Sequence, residues 1–200
     1  MTTGPWIYEA FPGALRADVA KVAGAVPPSS LAPVGRFAVT VDGEALTIPH
    51  RIYSDVAPCG AILEEPLVRA IAACLYTRHH DGRVRQRAVR ALLTGPSAAA
   101  PWVVPYVVQL VGEYVVEVID EMAGLLTELD VGGSTQQGTY GRVLAANPEF
   151  MRLTRCRVVS YWNLGYRRRY PRLQDYPEYR LVEALTDAAR ASAPDELPSA

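Results

Sequence analysis

The chain has 200 residues, half of them hydrophobic and a fifth charged, with a formal net charge of −1. That length holds one sizeable core, and the near-neutral balance excludes a global field drawing the molecule to nucleic acid or acidic membranes. Cys59, Cys74 and Cys156 are scattered without C-x-x-C spacing, which argues against a disulfide framework and points to a reducing, cytoplasmic setting.

The N-terminal stretch MTTGPWIYEAFPG lacks a basic segment followed by an apolar run, so no signal peptide is expected. Residues 13–25 suit a short helix on Leu15, Val19 and Val22, stopped by Pro27 and Pro28. Residues 1–33 therefore read as a short helix and linker ahead of one helical domain, 34–192, with a disordered tail at 193–200. At 35–49 the pattern switches to alternation around Asp42-Gly43, a pair that tolerates the positive φ of a type I′ turn. A two-residue turn there pairs Val39 with Leu46 and Phe37 with Ile48, on one face.

From Pro66 the period becomes helical, with an apolar stripe of Leu67, Ile71, Cys74 and Leu75. Asp81-Gly82 ends that helix and starts another, whose core side is read as Val84, Ala88, Ala91 and Leu92. His79 and His80 fall in the turn between them and read as surface residues. Residues 102–127 form an apolar helix that Gly112 kinks or splits. Gln109, Glu113 and Glu117 make that run too polar to cross a membrane. The glycine-rich 130–141 reads as a flexible loop without the lysine of a phosphate-binding loop. Asn147-Pro148-Glu149 reads as a cap and first turn. The helix it opens runs to Gly165, carrying Cys156 on its core side, and a last helix follows Pro177 to about Ser192.

The segment 64–94 resembles a HEAT-type helical repeat over about thirty residues, on Asp81, Val84-Arg85, Ala88, Ala91 and Leu92. The resemblance implies that Asp81 and Arg85 hydrogen-bond across the helix joint. No second clean copy follows, so the expected fold is mainly α: an armadillo-like or HEAT-like bundle with one N-terminal β-hairpin, not a long solenoid.

Two charged stripes stand out. Arg83, Arg87 and Arg90 repeat at i, i+4, i+7, and so do Glu113, Glu117 and Asp120. The simplest account is that the stripes meet or that each faces water, with Asp81, Arg85, Glu113, Glu117 and Asp120 as structural ion-pair residues. Residues 161–180 interleave tyrosines and arginines, among them Tyr166, Arg167, Arg168, Arg169 and Tyr170. Between 142 and 180 nine arginines face three acids. Tyr and Arg are common interface anchors, and aromatic faces beside guanidinium groups also suit nucleic acid. The expected role is a non-catalytic interaction or scaffold module. Tyr166 to Tyr170 and the Arg83/Arg87/Arg90 face would contact a protein partner, a second copy of the chain included. The alternative is a nucleic-acid-binding accessory protein. The third reading is an enzyme with a histidine and carboxylate site built on His50, His79 or His80. No catalytic residue, metal ligand set or cofactor motif is assigned.

Overall fold

The computed structural model describes residues 4, 6–27, 29–54, 64–113 and 116–193, with the backbone alone at 116 and 117. The expected tail beyond 193 and Cys59 lie outside the described residues. The chain is mainly helical with a single described hairpin. Its elements are α1 (Trp6–Glu9), α2 (Arg16–Ala25), β1 (Val34–Val41), β2 (Glu44–Arg51), α3 (Pro66–Tyr76), α4 (Gly82–Leu93), α5 (Val104–Val111), α6 (Val116–Leu125), α7 (Thr135–Ala145), α8 (Pro148–Tyr161) and α9 (Pro177–Ser192). No described helix is long and apolar enough to cross a membrane.

Hydrophobic pattern explains the layering. All eight residues of α5 are buried, as a helix apolar all round except for Gln109 demands, and α3 is nearly so. Around them, α2 and α4 pack on α3, α6 packs on α4, and α9 packs on α7 and α8. Ile7, Phe11, Val19 and Val22 from the N-terminal segment join the same core cluster as Leu75, Val107 and Leu185. The hairpin has the expected register, Val39 against Leu46 and Phe37 against Ile48. Its turn uses Asp42 at φ 49° and Gly43 at φ 84°, the left-handed values a type I′ turn needs. Val39, Val41, Leu46 and Ile48 are buried and hold the hairpin on the helices.

Several local readings are corrected. Residues 135–145 are not part of a loop but form α7. Ser134 caps it, accepting from the Gln137 amide at 3.0 Å, and the Gln137 side chain accepts from the Gly133 amide at 3.0 Å. Gly141 is there for contact: a Cβ would collide with the Ala188 carbonyl and the Ser192 hydroxyl of α9. Asn147 does not cap α8. Its side-chain amide is spent on the Thr40 N–H at 2.8 Å, the Thr40 carbonyl at 2.7 Å and the Val143 carbonyl at 2.7 Å. The core side of α4 is Arg85, Ala88, Val89 and Leu92, while Ala91 is exposed and Val84 only half-buried. Cys156 is exposed, Cys74 buried, and both are free thiols. The run 102–127 breaks after Val111, where Gly112 takes φ −89°, ψ 25° and leaves the helical region. A Cβ at Gly112 would press on Arg157 Cδ at 3.2 Å, so α8 crosses close over the break.

Candidate functional site

The exit of the hairpin is tied to the joint between α3 and α4. The Ile52 N–H donates to Arg78 O at 2.9 Å, and the His80 N–H donates to Ile52 O at 3.1 Å. This short parallel bridge brings three arginines from three segments onto one carboxylate. Glu113 Oε1 lies 2.7 Å from Arg51 Nη1 and 3.0 Å from Arg78 Nη1, and Glu113 Oε2 lies 3.0 Å from Arg85 Nε. The third contact is ionic but not aligned as a hydrogen bond. Three guanidinium groups against one carboxylate leave two positive charges over, and Arg78 is fully buried.

Backbone carbonyls and the Thr77 hydroxyl, which accepts from Arg78 Nε at 3.2 Å, supply the remaining acceptors. Arg85 Nη1 donates to the carbonyls of His79 at 2.8 Å and His80 at 3.0 Å, and Arg51 Nη1 donates to His50 O at 3.0 Å. Burial still disfavours the charge on Arg78, and its pKa falls to about 10 despite Glu113. The cluster continues through Gln109, whose Oε1 accepts from Arg157 at 3.2 Å and whose amide nitrogen lies 3.4 Å from His50 Nδ1. Burial, then the charges of Arg157, Arg78 and Arg51, lower the pKa of His50 and keep it neutral.

Arg85 does hydrogen-bond across the helix joint, to the carbonyls of His79 and His80, but no bond joins its side chain to the Asp81 carboxylate among the described residues. Asp81 caps its own helix, accepting from the Arg83 amide at 2.8 Å, and this holds its carboxylate below the ordinary range. Arg85 instead turns inward to Glu113. His79, expected at the surface, is buried. Its Nε2 faces Ser54 O at 2.8 Å and its Nδ1 accepts from the Asp81 amide at 3.0 Å, a pairing that requires the neutral ring. With both ring nitrogens used, His79 has no atom left for acid–base chemistry. Among the described residues no three His, Cys, Asp or Glu side chains converge as a metal site would need.

The two charged stripes do not meet as rows. The break at 112–113 rephases the helix, so Glu113 faces the buried arginines while Asp120 is exposed. The side chain of Glu117 lies outside the described residues. Arg90 reaches α6 at Glu121, one position off the stripe, with Nε at 2.6 Å and Nη2 at 2.5 Å from its two oxygens. Arg83 and Arg87 are exposed. Sequence reading missed Arg51 and Arg78. A signal existed for Arg78, which extends the apolar stripe of Ile71, Cys74 and Leu75 by three residues and so falls on the buried side.

The Tyr/Arg segment forms an exposed tip beyond α8. After α8 the chain makes a π-helical turn, Trp162–Tyr166, closed by the Arg167 amide on Trp162 O at 2.9 Å. The turn rests on rings: Tyr166 and Tyr170 pack on buried Tyr176 with centroids 5.2 and 5.5 Å apart. Trp162 Nε1 donates to Tyr170 O at 2.8 Å. Arg167 lies 5.3 Å over Trp162 and Arg169 5.4 Å over Tyr170, while Arg168 is exposed. None of these three arginines forms an ion pair among the described residues. Beside them Leu164 is 82% exposed. Comparison of the chain with protein-family models, curated proteins and solved structures finds no match.

Proposed function

We propose that this chain is a non-catalytic helical interaction module, working in the cytoplasm, whose tip at 162–170 binds an acidic surface on a partner protein. One observation carries the reading. Leu164 stands 82% exposed beside a base of packed aromatic rings, next to three arginines that form no direct ion pair among the described residues. An exposed apolar side chain within an arginine ring is the usual make-up of an interface anchor. Arginine stacked on an aromatic ring is also held in place before a partner arrives, which lowers the entropic cost of binding.

Nucleic acid is the weaker reading, because the ring faces it would need are already taken. Tyr166 and Tyr170 lie on Tyr176, and Trp162 and Tyr170 are covered by Arg167 and Arg169. The test compares the full chain with Leu164→Asp and with the triple change of Arg167, Arg168 and Arg169 to alanine. Quantitative affinity capture should lose the same partner with both variants and keep it with Arg83→Ala. If that partner is a second copy, light scattering reads the same loss as a change in mass. Mixed single-stranded oligonucleotides should not bind at low salt. Binding of oligonucleotides with a steep salt slope, abolished in the triple variant, would replace this reading with the alternative.

A further inference from the structure

The outer edge of β1 is open. A two-residue turn makes Val41 and Glu44 the first hydrogen-bonded pair, and the ladder alternates from there. Val39 and Phe37 therefore turn their amides and carbonyls towards β2, while Thr40, Ala38 and Arg36 turn theirs away. At Thr40 the outward groups are occupied by the Asn147 side chain, whose Oδ1 accepts from its N–H and whose Nδ2 donates to its carbonyl. A side-chain amide thus stands where a peptide unit of a third strand would lie. Among the described residues no bond reaches the outward backbone groups of Ala38 or Arg36, and both residues are exposed.

A cleft of about 400 Å³ runs along this edge, lined by Arg36, Ala38, His50, Asn147 and Arg157 among others. Phe37 and Phe150 stack at 5.3 Å, nearly parallel, within its lining, and Leu153 adds a 39% exposed apolar side chain. The charges around it are unequally satisfied. Glu149 is held by Arg152 at 2.6 and 2.7 Å, and Arg36 by Glu9 at 3.1 Å. Among the described residues Arg157 has only the neutral Gln109 as a partner, and the Glu113 cluster it adjoins through Gln109 carries surplus positive charge there. The first turn of α8 also opens here with no side-chain cap, adding the positive end of a helix dipole.

We propose that β1 is a docking strand: it accepts an extended segment of a partner protein as a third strand, with an acidic side chain of that segment facing Arg157. Free backbone donors and acceptors supply affinity, and the cleft supplies the choice of side chain. Gly35 at φ 60° leaves the extended region, so the outward groups of Arg36 and Ala38 span about three residues of added strand. A second copy of this chain fits poorly, because it would bring another Arg36 and Arg157 to the same edge. The inference is independent of the tip at 162–170.

The probe is a fluorescein-labelled octapeptide alternating threonine and valine, with two of its threonines replaced by glutamate, followed by fluorescence anisotropy on the full chain. The expected result is saturable binding. It should weaken by about tenfold or more when the glutamates become lysines, because a charge-assisted bond is exchanged for repulsion. It should disappear when alternate amides of the peptide are N-methylated. Hydrogen exchange should slow at the Arg36 and Ala38 amides on binding. Ala38→Pro, which removes one outward N–H, should abolish binding. Arg157→Gln, outside the strand, should weaken it by about tenfold and covers the case in which the proline variant does not fold. The alanine triple change at the tip should leave it unaltered. The proposal is overturned by absence of binding to the acidic probe, by equal binding of the lysine or N-methylated peptide, or by exchange that slows elsewhere. Chain dimers that Ala38→Pro dissociates would overturn it too, by assigning the edge to a second copy.

Discussion

Glu113→Gln is the sharpest perturbation of this fold. The carboxylate is 6% exposed, and its partners Arg78, Arg85 and Arg51 are 0, 7 and 31% exposed. The amide keeps the volume and one acceptor but removes the only negative charge among the cluster's described residues. Arg78 and Arg85 then remain charged and buried with neutral acceptors alone. Leaving a buried charge without its counter-ion costs about 3–5 kcal/mol, a large fraction of a total stability of about 5–15 kcal/mol. For a chain of this size, each kcal/mol lowers the melting temperature by about 2–4 °C, so a fall of roughly 10 °C is expected. Arg51→Met should behave differently. It removes surplus positive charge, leaves Glu113 with two partners, and acts at a partly exposed site, so its cost should stay within about 1 kcal/mol. Urea titration and thermal melts on the single variants, together with the double change Glu113→Gln, Arg78→Met, measure the coupling. The double variant should cost less than the sum of its parts by about 1 kcal/mol or more. If Glu113→Gln melts with the wild type, or if Arg51→Met costs as much, the carboxylate is not what compensates the buried arginines.

Two further predictions test the packing. Gly141→Ala places a methyl group into the Ala188 carbonyl and the Ser192 hydroxyl, so α7 and α9 must separate; calorimetry should show a loss of about 1–3 kcal/mol. An unchanged melt would mean the two helices do not pack this closely. Glu178 sits 1% exposed in the first turn of α9, and burial, with Asp120 adding to it, raises its pKa above the ordinary carboxylate value. The folded state therefore holds this proton more tightly than the unfolded one. The stabilising contribution is complete below the unfolded pKa and is lost as pH rises through the folded one. Glu178→Gln removes that loss, so its melting temperature should gain on the wild type between about pH 4 and pH 7; a constant difference across that range would refute the assignment.

Local pattern alone determined the parts of this protein that repeat at short range. The alternation around Asp42-Gly43 set the hairpin register, because a one-residue slip would have turned Val39 and Leu46 to water. The stripe of Ile71, Cys74 and Leu75, the Asp81 stop and Pro177 placed α3, α4 and α9 for the same reason: a period and a breaker are written in neighbouring residues. The readings that failed are ones whose partner lies far along the chain. The glycines of α7 look like a loop until α9 is beside them, where Gly141 is the only side chain small enough for the contact. Asn147 has the form of a helix cap, but its amide is claimed by Thr40, 107 residues away. Glu113 looked like one of a row of acids on one helix; the break at Gly112 removed the row, and the bridge between Ile52 and the α3–α4 joint brought in Arg51 and Arg78, 62 and 35 residues distant. A charge needs a counter-charge within a few ångströms once water is excluded, and which residue stands there is decided by how the helices stack, not by any spacing along the chain.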